Sequence, residues 1–165
     1  MPLVTYLITF SCYGHRLHGH PDGSVDRHHR TPGTPHLQPD SRWLAQATRT
    51  MKHPAYTLDA AHRAVVLDAL RQCCLRNDWE LHAAHVRPTH VHVVVVAPPG
   101  PEKLLHALKS AASQRLNALE PESADRKRWA RHGSTRWLWE PHHVRAAIKY
   151  VVEEQGPALA VYQAE

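Results

Sequence analysis

The chain has 165 residues, 42% of them apolar, which suffices for one compact core and makes a second domain unnecessary. Lys and Arg number 20 against 15 Asp and Glu, a net charge of +5, and 16 histidines add partial positive charge near neutrality, so a polyanion such as nucleic acid is a fitting partner. No run of about 18 apolar residues occurs, and Met1-Pro2-Leu3-Val4-Thr5-Tyr6 has no cationic start before a long apolar segment, which argues against a membrane span or secretory signal and for a soluble cytoplasmic protein.

Residues 4–13 are β-branched and aromatic and read as a strand stopped by Gly14. Residues 14–57 change character: His, Gly and Pro dominate, marking a loop-rich insertion in a single domain spanning 1–165. Over residues 58–76, Val66, Leu70, Cys73 and Cys74 fall at helical spacing. With Cys12 far away in sequence, the three cysteines match neither a disulfide framework nor a CxxC zinc pattern; they read as buried thiols of a reducing compartment.

Residues 79–87 and 90–97 are strand-like runs joined by Pro88-Thr89, a hairpin ending at Pro98-Pro99-Gly100. Alternate side chains of a strand share a face, so His90 and His92 point the same way and can hold one metal ion between them. Pro101 opens a helix with Leu104, Leu105, Leu108, Ala111, Ala112, Leu116 and Leu119 as its buried stripe. Lys109, Ser113 and Arg115 lie off that stripe, placed to meet a phosphate backbone.

A basic cluster follows, Arg126-Lys127-Arg128-Trp129-Ala130-Arg131, and then Arg136-Trp137-Leu138-Trp139. Cations pair with phosphates while indoles stack on unpaired bases, which suits single-stranded nucleic acid; equally, Trp137 and Trp139 alternate as on a strand and can pack on one sheet face. After Pro141, Val144, Ala147, Ile148, Val151 and Val152 define a short amphipathic helix ended by Gly156-Pro157. At about 100° per residue, Tyr150 falls beside that stripe, with Glu154 one turn after it and His143 two turns before. A tyrosine at the edge of the stripe is a candidate reactive phenol. The pairs His28-His29 and His142-His143 lack a third partner and are assigned no site.

Two imidazoles, with Glu154 nominated as the carboxylate, leave open coordination positions, as a catalytic Mg²⁺ or Mn²⁺ needs to hold a phosphate oxygen. Such an ion would polarise a phosphodiester while Tyr150 attacks phosphorus. The covalent phosphotyrosine would conserve the bond energy, so a strand is cleaved and rejoined without ATP.

The order and spacing of these motifs resemble the single-tyrosine HUH transposases, including the REP-associated tyrosine transposases, which carry His-hydrophobic-His on a central strand and a lone tyrosine on a later helix. The resemblance runs through Tyr6-Leu7-Ile8-Thr9-Phe10, His85-Val86-Arg87-Pro88-Thr89-His90-Val91-His92, the helix with Lys109, residues 133–139, and Ile148-Lys149-Tyr150-Val151-Val152-Glu153-Glu154-Gln155. It implies an α+β domain of the HUH endonuclease type, a ferredoxin-like (RRM-like) antiparallel sheet with helices on one face. It further implies a DNA transposase that cleaves single-stranded DNA through Tyr150, with Mg²⁺ or Mn²⁺ on His90, His92 and Glu154 and with Lys109, Arg115, Arg126, Arg128, Arg131 and Arg136 on the DNA. A homodimer acting on hairpin-containing element ends is implied as well. Where the family often has Gln or Asn one turn after the tyrosine, this chain has Glu154, with Gln155 next. Two other readings fit the same residues: a non-catalytic DNA-binding regulator indifferent to Tyr150→Phe, and a hydrolytic metal-dependent phosphodiesterase that leaves no adduct.

Overall fold

A computed structural model of the chain describes residues 2–15, 42, 45, 49 and 53–165. Most of the loop-rich insertion read at 14–57 lies outside the described residues, and any role for it in DNA recognition or dimer contact lies there too. Along the chain run β1 (Val4–Ser11), α1 (Ala60–Arg76), β2 (Glu80–Val86), β3 (His90–Ala97), α2 (Pro101–Leu119), a 3-10 turn (Pro121–Ser123), β4 (Ser134–Leu138), α3 (Pro141–Glu153) and β5 (Ala160–Gln163). The strands form one antiparallel sheet in the order β4-β1-β3-β2-β5. This is the α+β architecture the sequence led us to expect.

The valine run explains the layering. Val91, Val93 and Val95 point to one face of β3 and Val94 to the other, and all are fully buried. A strand apolar on both faces needs cover on both. The longer helices α1 and α2 cover the first face, packing Val66, Leu70, Leu104, Leu108 and Leu116 on Tyr6, Ile8 and Phe10. Helices on one face therefore describes α1 and α2, whereas α3 crosses the opposite face, with Ala147 and Val151 on Ala83, Val94 and Leu138.

Local chemistry sets the ends of the elements. β1 stops at Ser11, two residues before the expected end, because Cys12 leaves the ladder to bridge Trp129 and donates its amide to Thr89 O at 2.8 Å. Asp59 starts α1 by accepting from His62 N at 2.8 Å while the His62 ring turns back to the Asp59 amide, a reciprocal cap. Pro101 and Pro141 open α2 and α3 as expected, since proline at the first turn sacrifices no helical hydrogen bond. Leu119, assigned to the α2 stripe, is instead exposed at the helix end. Strand β5 was not anticipated; its four residues pair with β2 from Ala83 to Val86. Cys12, Cys73 and Cys74 are buried free thiols. Among the described residues no helix is long and apolar enough to cross a membrane.

Candidate active site

His90 and His92 open β3 on the face that carries α3. The hairpin turn is held from both sides, by Cys12 N donating to Thr89 O and Leu58 N to Pro88 O, each at 2.8 Å. In the ladder Ser11 opposes His90, Thr9 opposes His92, and His85 opposes His92 from the other side. The Thr9 hydroxyl lies 3.0 Å from His92 Nδ1 and the Thr89 hydroxyl 2.9 Å from His90 Nδ1. Both rings are thereby oriented through Nδ1, which makes Nε2 the nitrogen each would offer to a metal. Their centroids are 5.0 Å apart at 88°.

Tyr150 stands where the helical period put it, beside the buried stripe and 40% exposed. Its ring meets that of His92 edge-on, 5.7 Å between centroids at 79°. Both side chains line a cleft of 510 Å³ between β1, β4 and α3, with Arg131, Arg136, His143 and Ser11 also on its walls. The cleft thus brings a phenol, the imidazoles of His92 and His143 and two guanidinium groups to one opening.

The end of α3 is tied to the sheet. His85, fully buried, places Nδ1 2.9 Å from Val151 O and Nε2 3.3 Å from Leu159 N. Burial pushes its pKa below the usual histidine range, against the bond to Val151 O, which favours the charged form. Glu154 caps the helix through its amide, which donates to Tyr150 O at 3.2 Å, and Gln155 Nε2 donates to the same oxygen at 3.1 Å. Among the described residues no three His, Cys, Asp or Glu side chains lie close enough to hold a metal ion, so the structure brings His90 and His92 together and leaves exposed Glu154 apart from them. Chemically the two imidazoles fit a divalent ion that takes its remaining positions from phosphate or water oxygens.

The cations expected on DNA divide into two groups. Arg131 and Arg136 are exposed and line the cleft. The other four have partners within the chain. Arg115 pairs with Asp68 at 2.8 Å, Arg126 bonds Lys127 O and Pro54 O and lies over the Tyr13 and Tyr56 rings, and Arg128, 3% exposed, bonds Asn117 and reaches Glu120 at 3.4 Å. Lys109 Nζ sits 2.9 Å from Ala130 O and also bonds His132 O, so it organises the loop before β4; burial pushes its pKa down to about 8, with Glu102 acting the other way. Ser113, expected beside them, accepts from Trp129 Nε1 at 2.9 Å.

That loop presses against β1. A Cβ on Gly133 would lie 2.7 Å from Thr9 O, on the strand that orients His92. Trp137 and Trp139 do share one sheet face: Trp137 meets Tyr6 edge-on and stacks on Trp139 at 5.1 Å and 25°, leaving Trp139 69% exposed. His85, which sequence reading left without a role, sits opposite His92 in the ladder. A two-residue turn at Pro88-Thr89 already makes residue 85 the partner of residue 92, so the hairpin held the signal.

A protein-family profile described as "Transposase IS200 like" matches residues 46–151, well over half of the chain. Among solved structures, the chain is similar to a REP-associated tyrosine transposase bound to a REP hairpin, at 10% identity and TM-score 0.50, over 92% of this chain and 66% of that one. The chain thus spans slightly less than two thirds of that protein's length. A candidate transposase from Deinococcus radiodurans R1 aligns at 21% identity and TM-score 0.47, over 96% of this chain and 95% of that one. No curated protein matches the chain in sequence.

Proposed function

Because the chain belongs to the IS200-like transposase family, we propose that it cleaves and rejoins single-stranded DNA with Tyr150 as the nucleophile. The observation that carries this reading is the contact of the Tyr150 and His92 rings inside a cleft flanked by Arg131 and Arg136. Tyr150 Oη forms a bond to phosphorus, the bond from phosphorus to the 3′ oxygen breaks, and the phenolic proton is matched by the one that the leaving 3′ oxygen takes up. The 5′ phosphate stays on the enzyme. Attack by another 3′ hydroxyl reverses these steps and joins a new strand.

His90 and His92 would hold a divalent ion, Mg²⁺ or Mn²⁺, which would supply charge neutralisation at the phosphate oxygens. Glu154, exposed one turn beyond Tyr150, is the carboxylate nominated as a third ligand to that ion. Arg131 and Arg136 hold phosphates beside the scissile bond, and Trp139 offers an open indole face to an unpaired base. Hairpin-bearing DNA ends are the proposed substrate and a homodimer the proposed assembly.

The test is incubation with end-labelled single-stranded DNA from the flanks of the coding sequence, with Mg²⁺ or Mn²⁺, followed by a denaturing gel. A protein-linked band is expected, lost in Tyr150→Phe and in His90→Ala or His92→Ala. Cleavage to a free 5′ phosphate without that band would replace this reading with hydrolysis by water. Binding without cleavage would replace it with a regulatory DNA-binding role.

A further inference from the structure

α3 meets the sheet through small, smooth side chains. Ala147 and Val151 are its buried residues, with Val144, Ile148 and Val152 around them, and they lie on Ala83, Val94 and Leu138. Such a surface supplies apolar contact but no directional bond between helix and sheet. Tyr150 nonetheless needs one placement to attack, since a shift of about 1 Å forfeits much of the advantage of a positioned nucleophile. A directional contact adds a fixed point to that packing.

His85 supplies it. Its ring lies on the α3 face of the sheet, opposite His92 in the ladder. A carbonyl only accepts and an amide only donates, so the bonds to Val151 O and Leu159 N place the ring proton on Nδ1 and use both nitrogens of a neutral imidazole. Val151 follows Tyr150 in the last turn of α3, where carbonyl oxygens have no partner within the helix and an outside donor acts as an anchor. Leu159 immediately precedes β5, so one imidazole ties both ends of the connection between α3 and β5 to β2. Arg87, next along the hairpin, holds the same connection at Pro157 O.

We propose that His85 is a positioning residue: by gripping the carbonyl next to Tyr150, it sets the seat of α3 on the sheet and hence the placement of the nucleophile against His92. This rests on the tyrosine chemistry above and adds a residue outside the nucleophile and the metal pair. A buried polar group that fixes register among apolar neighbours is a known use of such groups.

Three variants of the full chain test it. In His85→Asn the amide NH₂ overlies Nδ1–H and still donates to Val151 O. His85→Gln reaches the Nε2 position and accepts from Leu159 but abandons Val151. His85→Leu keeps the volume and makes neither bond. Under single-turnover conditions with Mn²⁺, adduct formation by Asn is expected within about threefold of the unsubstituted chain, and by Leu and Gln about tenfold slower, with DNA affinity unchanged in all three. Hydrogen exchange of the amides of 150–154, read without DNA, is expected to quicken in Leu and Gln and to stay as before in Asn.

The proposal is overturned if Leu or Gln keeps the original exchange, or if Asn exchanges as they do; a rate loss carried by weaker DNA affinity also overturns it. Should Asn fail to fold, Leu and Gln against the unsubstituted chain decide the same question. Absence of any adduct with the unsubstituted chain, alongside the expected exchange pattern, would sink the phosphotyrosine reading and leave the seating of α3 by His85 standing.

Discussion

On α3 a step of about 100° per residue carries Ala147 and Val151 onto the sheet and leaves Tyr150 at its margin, against His92 rather than among core residues. Both partners were legible in the sequence because each obeys a local period, two for the histidines and 3.6 for the tyrosine. The direction of a long cation was not, because its partners are remote in sequence: Arg115 answers to Asp68, and Arg128 to Asn117 and Glu120. Two outcomes are expected at this scale. If Glu154 moves to the ion, Glu154→Gln raises the Mn²⁺ concentration for half-maximal adduct formation about tenfold; an unchanged requirement in a metal titration would show that it stays outside. Trp139→Ala, removing an indole that is 69% exposed, should weaken binding of single-stranded DNA by roughly tenfold, within the ~1–3 kcal/mol of a stacked base, and leave duplex binding unchanged in fluorescence titrations.

The loop between the 3-10 turn and β4 shows what local pattern does not disclose about an element. The basic-aromatic run there reads as a DNA-facing surface, yet Trp129 is buried against Phe10 and only Arg131 of its cations lines the cleft. β5 escaped notice for a related reason: four residues are too short for a period to register, and its place depends on an open edge of β2. Gly133→Ala forces a methyl group against the Thr9 carbonyl, a backbone atom that cannot swing aside, and should cost about 1–3 kcal/mol in urea denaturation. Lys109 gives a pH signature. Its proton leaves near pH 8 in the fold but near 10.5 in the unfolded chain, so between these values the unfolded chain binds more protons and this group adds stability as pH rises. The urea midpoint of the protein minus that of Lys109→Met should therefore climb between pH 8 and 10, and a flat difference would show that the ammonium is not desolvated.

Across the whole molecule the sheet divides its labour. The face under α1 and α2 holds the larger core, while the other holds the histidines, Tyr150 and the cleft. Net charge of +5 pointed from composition to a polyanionic partner, but only the fold shows that Arg131 and Arg136 stand at the opening. If they neutralise two phosphates, the double Ala variant should lower the slope of log affinity against log salt by about 1.4 on single-stranded DNA, near 0.7 for each contact. The strand order has a consequence for biosynthesis. β1 is made early, yet it lies between β3 and β4, and the bond from Thr9 to His92 joins residues 83 positions apart. A nascent chain that has just completed β3 already carries both histidines but still lacks the helix bearing Tyr150. Under the tyrosine chemistry proposed above, a ribosome-bound or prematurely terminated fragment of that length would lack the means to cut, since Tyr150 is made only after the four strands from β1 to β4.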